Sequence, residues 1–186
     1  MSDVKLGAGK ATGMFFHAPK GTPLPVSPME ELSSAWKEVG DVTSEGITMN
    51  IDRDTEDLKN WANVIKRSIM KDHSEEVQVP IMDTTEESLK TVIGENNVIV
   101  TPATSTHGKV IDVALSEGSL PEEEAYLFLM KDGDDLMALG TSDGQITKVD
   151  SVSFKPEEGI TWNATIKGLG EGWHLIMDDG QVDEEP

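Results

Sequence analysis

Apolar and polar residues alternate with a period of two along two segments in the first half of the chain. Residues 47–51 alternate isoleucine and methionine with threonine and asparagine, and residues 77–81 alternate valine and isoleucine with glutamine and proline. Successive side chains of a strand point to opposite faces, so this period predicts two half-buried strands. Pro80 has no backbone donor and is predicted to lie near a strand end or an edge.

The segment between these strands, residues 53–73, shows no comparable alternation. Residues 54–63 are mostly polar but include two large apolar side chains, Leu58 and Trp61. The whole segment is predicted to be a long loop, and long loops in compact domains are usually functional. Because Leu58 and Trp61 would be unfavourably exposed to water on such a loop, we expect a partner surface to cover them.

Residues 84–93 carry the clearest helical pattern. Their apolar residues fall on one face at helical spacing, and Gly94 follows at the position where helices commonly end. Asp83 or Thr84 is expected to cap the first turn, with a glutamate three residues later completing a capping box. The pattern predicts one short amphipathic helix that packs against a sheet.

From Gly94 onward, short runs of strand-forming residues are separated by turn signals at 132–133, 143–144, 158–159 and 168–172. Seven strands are predicted in this part of the chain, at residues 97–101, 109–115, 125–131, 136–139, 146–154, 160–167 and 173–177. The chain 1–186 is therefore predicted to form a single, mainly β domain. We expect a β-sandwich or flattened barrel of roughly seven to ten strands with one helix packed on the sheet.

Both ends of the chain differ from this pattern. Glycine and proline interrupt residues 1–40, where residues 13–19 are a candidate strand. Residues 1–25 are predicted to be an N-terminal arm, and residues 178–186 an acidic C-terminal tail. We expect the arm and the tail to become ordered only when the protein assembles with a partner.

The composition is strongly acidic. There are 35 Asp and Glu residues against 15 Lys and Arg, a formal net charge of −20. A protein that grips nucleic acid neutralises phosphates with clustered basic residues, so the charge argues against that class and against docking on anionic lipid. No apolar run approaches the ~20 residues of a membrane span, and the N-terminus lacks a signal-peptide pattern. We expect a soluble protein, with no membrane partner, that is made in the cytoplasm.

The residues that carry cofactor and metal chemistry are scarce. The chain has no cysteine, which excludes Cys-based zinc sites, iron–sulfur clusters and Cys nucleophiles. The four histidines, His17, His73, His107 and His174, include no pair with metal-ligand spacing. We therefore expect neither a cofactor nor a bound metal.

Residues 140–144 match the Gly-x-Ser-x-Gly pattern of α/β-hydrolases, with Ser142 in the place of the nucleophile. In those enzymes the serine sits on a sharp turn between a strand and a helix. Here the following residues, 145–149, have strand character, and no alternation of strands and helices surrounds them. The motif is therefore predicted to be a hairpin turn, and we expect no catalytic residue.

Three blocks of sequence follow one another in a distinctive order. Residues 45–52 read Glu-Gly-Ile-Thr-Met-Asn-Ile-Asp; the segment 58–61 ends in tryptophan; and residues 77–89 combine a return strand with an acid-rich helix start. This order resembles the major tail tube proteins of long non-contractile-tailed (siphovirus-type) bacteriophages, especially those that infect Gram-positive bacteria. The similarity continues through the C-terminal strands and covers most of the chain.

The resemblance implies a structural, non-enzymatic virion protein. Proteins of this family form hexameric rings that stack into a tube, and a continuous β-barrel lines the channel through which DNA is ejected. A tape-measure protein occupies the channel beforehand, and tail terminator and distal tail proteins bind the ends of the tube. DNA passes transiently without specific binding. The resemblance thus implies a location in the phage tail.

The same resemblance assigns roles to individual residues. Residues 53–73 would contact the neighbouring ring, with Leu58 and Trp61 as anchors. The strands around 45–52 and 74–82 would line the channel. The polar residues on the face opposite the apolar one are the candidates for the lumen surface, namely Thr48, Asn50, Asp52, Glu76 and Gln78. A carboxylate-rich wall would repel phosphates and let DNA slide.

Three alternatives remain open from the sequence. The protein could be another phage ring component, such as a tail terminator or neck protein, which makes a single ring. It could be an enzyme with Ser142 as the nucleophile. It could also be a non-viral, acidic β-domain that binds carbohydrate or protein as a monomer.

Overall fold

The computed structural model describes residues 8–9, 15–115, 120–155, 159–179 and 181, and this part of the chain is mainly antiparallel β-structure. Most of the predicted C-terminal tail and much of the predicted N-terminal arm lie outside the described residues. The elements are β1 (Ala8–Gly9), β2 (Phe15–Pro19), β3 (Lys37–Gly40), β4 (Thr48–Lys59), β5 (Ile65–Ile81), α1 (Glu86–Ile93), a 3₁₀ turn (Glu95–Asn97), β6 (Val98–Thr101), β7 (Val110–Val113), β8 (Glu124–Asp132), β9 (Asp135–Val149), β10 (Trp162–Gly168) and β11 (His174–Asp178).

Nine of these strands form one sheet with the order β3-β2-β8-β9-β10-β5-β4. The short strand β1 also pairs with β8, and β11 pairs with β9, so β8 and β9 each pair with three strands. Strands β6 and β7 form a separate antiparallel pair. The predicted mainly β fold with one α-helix is confirmed, although the described residues contain eleven strands rather than seven to ten.

The core lies on both faces of the sheet. On one face, Tyr126 and Phe128 of β8 pack with Phe15, whose ring stacks on that of Phe128 at a centroid distance of 4.6 Å. On the other face, Leu127 and Leu129 of the same strand pack in a second cluster with Trp36. A strand that is buried on both faces has an almost continuous apolar sequence, which explains the unbroken apolar run of β8.

Helix α1 begins one residue later than the predicted caps would place it. Thr85 is the cap: its hydroxyl accepts a hydrogen bond from the Ser88 amide, and the Ser88 hydroxyl accepts one from the Thr85 amide. A capping box is thus present, but a serine rather than a glutamate completes it. Leu89 and Val92 are buried against the sheet, and the helix ends at Gly94 as predicted.

The hairpin turn predicted at residues 143–144 is wrong, because β9 runs without interruption through the Gly-x-Ser-x-Gly motif. Glu124 pairs with Gly144 and Tyr126 pairs with Thr141, so β9 has a bulge where two of its residues, 142 and 143, face one residue of β8. A Cβ on Gly144 would lie 3.0 Å from a ring carbon of Tyr126. This glycine allows close packing within a strand, which the sequence pattern could not distinguish from a turn.

The long loop predicted at residues 53–73 is also wrong. Strands β4 and β5 continue through it as a two-stranded hairpin and leave only residues 60–64 as the turn. Almost every side chain of this extension is exposed on both faces. Without a buried face there is no selection for alternating apolar residues, so the period that predicts a strand is absent. No helix among the described residues is long and apolar enough to cross a membrane.

Candidate assembly interface

The projecting hairpin, defined here as residues 53–73, ends in a tightly bonded turn. The Asn60 side-chain oxygen accepts hydrogen bonds from the amides of Ala62 and Val64, at 3.1 and 2.9 Å. The Asn60 amide in turn donates to the Val64 carbonyl at 2.9 Å. These bonds use the short Asn side chain to fix the turn locally, without help from the rest of the domain.

The turn displays apolar side chains to solvent. Trp61 is fully exposed, and Leu58, Val64 and Ile65 are each about half exposed. Met70, farther along β5, is 62% exposed. Exposed apolar residues clustered on one projecting element are unusual for a monomer and indicate a contact surface. Leu58 and Trp61 are thus exposed on one segment of the single chain, and the expectation that a neighbouring ring covers them stays a prediction.

The base of the hairpin is fastened to the domain by Glu75. Its carboxylate accepts a hydrogen bond from the Trp173 amide at 2.7 Å and lies 2.8 Å from Nε2 of His73. The Trp173 amide, more than any other contact, holds the pKa of Glu75 below its ordinary value of 4.5. Gly172 has φ +78°, and a Cβ there would lie 2.5 Å from the Glu75 carboxylate. Only glycine fits at position 172 without displacing the Glu75 carboxylate.

The five residues predicted to face a lumen lie on one face of the hairpin strands. Thr48 pairs with Gln78, Asn50 pairs with Glu76, and Asp52 follows on the same face opposite Ser74. The opposite face of this part of β5 carries the buried core residues, for example Val77 and Val79. The register therefore brings the five together as one polar surface, while its orientation toward a channel stays a prediction.

This polar surface continues along the hairpin as an acidic strip. Asp52, Asp54 and Glu56 alternate along β4 on the same face, and Asp72 lies directly opposite Asp54. Glu56 is partly neutralised by Lys71, at 3.1 Å. The strip is exposed, so its field extends into solvent and is screened over about 8 Å at physiological salt.

A second charged cluster joins helix α1 to the sheet. His17 is 7% exposed; its Nδ1 lies 3.0 Å from Glu124 of β8, and its Nε2 lies 2.8 Å from Glu87 of α1. Burial lowers the pKa of His17, but the hydrogen bonds and charges of the two glutamates outweigh it and raise the pKa above 6.5. A histidine donates from both nitrogens only when it is charged. Both ring nitrogens of His17 thus face a carboxylate, an arrangement that favours the charged imidazolium.

Two expectations about chemistry can be compared with the geometry. Ser142 lies inside β9, at the bulge, and not on the strand-to-helix turn that activates a hydrolase serine. No group of three or more potential metal ligands occurs within the described part of the chain. The structure thus gives the Ser142 hydrolase hypothesis no geometric support.

The sequence matches the family described as phage tail tube protein over residues 8–177, which is most of the chain. The chain belongs to the phage tail tube protein family. It is therefore a structural protein of a phage tail, and the tail of the virion is its location. Tail tube proteins assemble with copies of themselves and with other tail proteins, so the exposed hairpin is a candidate contact surface for such assembly.

Comparison with other proteins adds little to this assignment. Among solved structures, the cryo-EM structure of the anti-feeding prophage cap, the AFP tube terminating cap, is similar to this tail tube protein. The two share 11% identity and a TM-score of 0.46, over 95% of each chain. No curated protein matches the sequence. The family assignment rests on the sequence match to the tail tube family.

Two features of the structure do not follow from the sequence pattern. Residues 53–73 lack the alternation that predicts strands, although the Asn-containing turn at residues 60–64 is a hairpin signal. The His17 cluster was missed because its three members are far apart in sequence, separated by 70 and 107 residues. Only the strand order brings them together, and no local pattern encodes it.

Proposed function

We propose that this tail tube protein forms hexameric rings that stack into the tube of a siphovirus-type phage tail, from a phage of a Gram-positive host. The tube is the channel for DNA ejection into the host. The observation that carries the proposal is the projecting hairpin, which exposes Trp61 and its apolar neighbours at the end of a fixed, two-stranded arm. An arm of this kind suits a contact with a second ring.

The free sheet edges support ring closure. Strands β3 and β4 are the terminal strands of the sheet path, so each has one edge without a strand partner among the described residues. Unpaired edges invite pairing with another chain, and closed rings remove them. In the proposed ring, the long edge of β4 pairs with the adjacent subunit, and the hairpin strands contribute to a continuous barrel.

The polar face of the hairpin suits a channel wall. In the proposed tube, Thr48, Asn50, Asp52, Glu76 and Gln78 face the lumen, together with the acidic strip. Carboxylates repel DNA phosphates, so an acidic wall of this kind would let DNA slide past it. The tape-measure protein would occupy the same space before ejection, and tail terminator and distal tail proteins would bind the two ends of the tube.

Electron microscopy of the purified protein at rising concentration tests the proposal. We expect six-fold rings in end views and stacked tubes in side views. Rings that never stack would favour a terminator or neck protein. A protein that remains monomeric at every concentration and salt level would favour a binding domain and would overturn the proposal.

A further inference from the structure

The turn of the projecting hairpin is basic in an otherwise acidic protein. Residues 57–67 contain Lys59, Lys66 and Arg67 against the single acid Asp57, a net charge of +2, while the whole chain has −20. All three cations are exposed, and none forms an ion pair with another described residue. Asp57 is already bonded by the Ser68 hydroxyl, at 2.5 Å. The cations therefore remain available to carboxylates of a partner.

A cavity of about 520 Å³ lies between helix α1, strand β2 and the start of β8. Its apolar lining includes Ala18, Pro19, Ala35 and Pro121, and its charged lining includes five glutamates. The volume is large enough for an indole ring with adjacent backbone. This is a concave surface lined by both apolar and acidic side chains.

Internal pairing leaves a surplus of negative charge at this cavity. The three lysines of the cavity are each bound to a carboxylate: Lys20 to Glu123, Lys37 to Glu87 at 3.4 Å, and Lys90 to Glu86 at 2.8 Å. Glu124 and Glu87 share His17. Among the described residues, the exposed Glu95 and Glu122 are left without an ion pair.

We propose that Trp61 of one copy occupies this cavity on a copy in the adjacent ring, with Lys66 and Arg67 paired to Glu95 and Glu122. The inference rests on the proposed function and deepens it, because it names the surface that receives the hairpin. An exposed indole, three half-exposed apolar neighbours and three cations match a cavity lined by apolar side chains and glutamates. Charge complementarity of this kind fixes the register of a contact and makes it sensitive to salt.

Cysteine cross-linking tests the inference directly, since the chain contains no cysteine of its own. The test variant carries Ala62→Cys, beside Trp61, and Ala35→Cys, in the cavity. The control carries Ala62→Cys and Ala103→Cys, because Ala103 is also exposed but lies in the loop after β6 and does not line the cavity. After mild oxidation of assembled tubes, we expect a ladder of covalent multimers from the first pair and monomers from the second.

A charge exchange tests the same contact by a second measurement. Lys66→Glu with Arg67→Glu should raise the concentration needed for tube formation by at least about tenfold, because like charges then meet at the cavity. Adding Glu95→Lys and Glu122→Lys should restore tubes to near the original concentration. Tubes that form normally but give no ladder with Ala35→Cys, and no rescue, would overturn the inference and leave the proposed tube intact. A wild-type protein that forms no tubes would instead overturn the proposed function.

Discussion

Asp54 and Asp72 are direct cross-strand partners in the projecting hairpin, so two carboxylates face the same side of a two-stranded ribbon. Like charges in this arrangement destabilise a strand pair, typically by about 0.2–1 kcal/mol. Asp52 and Glu76 lie on the same face and add to the repulsion. An isolated hairpin does not benefit from such an arrangement, which favours a role for the charge in the assembled protein.

Asp54→Asn should therefore stabilise the hairpin in the monomer by about 0.2–1 kcal/mol, since it removes the repulsion and keeps the shape. Hydrogen exchange of the β4 and β5 amides measures the change. Asp112→Asn is the matched control, because Asp112 on β7 faces Ile99 rather than a second acid. Faster exchange in Asp54→Asn than in the wild type would contradict the expectation.

Reversing the charge of the acidic strip should change how tubes interact with DNA. With Asp52→Lys and Asp54→Lys, we expect assembled tubes to retain double-stranded DNA at low salt and to release it as the salt is raised, because phosphate contacts release counterions. Filter binding across a salt series measures this. Tubes carrying Asp112→Lys serve as the control. Equal DNA retention by both variants would remove the strip from the channel surface.

Trp61→Ala should prevent or strongly weaken stacking and leave the monomer folded. Trp61 is fully exposed and contributes nothing to the core, so the melting temperature of the monomer should be unchanged. Truncating an aromatic side chain that is buried at an interface commonly weakens binding by about 2 kcal/mol or more. Phe154→Ala removes another exposed aromatic ring and is the control. Normal tubes from Trp61→Ala would separate the hairpin turn from the ring contact.

The His17 cluster predicts a specific pH dependence. The folded pKa of His17 is raised above the ordinary 6.5, so its contribution to stability is complete below 6.5 and is lost as the pH rises through the folded value. We expect the free energy of unfolding of the wild type to fall with rising pH in that window, because the charge-assisted hydrogen bonds of His17 are lost as it deprotonates.

His17→Gln should flatten this dependence, since glutamine does not titrate. Urea unfolding at a series of pH values measures it, with His107→Gln as a control at an exposed position. The charged groups around His17 are Glu87 and Glu124, which contact its ring, and Lys37, which contacts Glu87. Burial raises the pKa of Tyr126, so its hydroxyl stays neutral in this window. A wild-type profile that parallels His17→Gln would assign the cluster no role as an ion pair.

Gly172→Ala should destabilise the domain by about 1–3 kcal/mol, because an alanine at positive φ is strained and its Cβ would displace the Glu75 carboxylate. Gly108→Ala is the control, since a Cβ there meets nothing within 4 Å and φ is not positive. Urea unfolding compares the two. Equal stability of both variants would show that the Glu75 carboxylate can move aside at little cost and would contradict the prediction.

The sequence predicts correctly those elements that bury one face and expose the other. Residues 77–81 alternate because β5 is buried on one face there, and α1 shows helical spacing because Leu89 and Val92 face the core. The same chain of reasoning failed for residues 53–73, which have no inside in the monomer. At Gly144 the Asp-Gly pair predicts a turn, but the structure uses the glycine for close packing against the ring of Tyr126 within a strand.

Period-two alternation predicts which residues of a strand share a face, and pairing in register then places the faces of two strands side by side. This is why one polar surface contains Thr48, Asn50, Asp52, Glu76 and Gln78. The His17 cluster and the cavity beside α1 could not be found in this way. They depend on β2, β8 and α1 meeting in space, and that meeting follows from the order of strands in the sheet rather than from any local pattern.

The stiffness of the hairpin has a further consequence for the spacing of the assembly. A strand advances about 3.3 Å per residue, so the extension beyond Asp52 acts as a lever arm roughly 25 Å long. Because the two strands stay paired along most of that arm, with register shifts only at Asp54/Thr55 and Leu58/Lys59, its reach follows from the residue count. Removing one residue from each strand would shorten the hairpin by about 3 Å. In the proposed tube, the number of residues in the hairpin would therefore set the distance between successive rings.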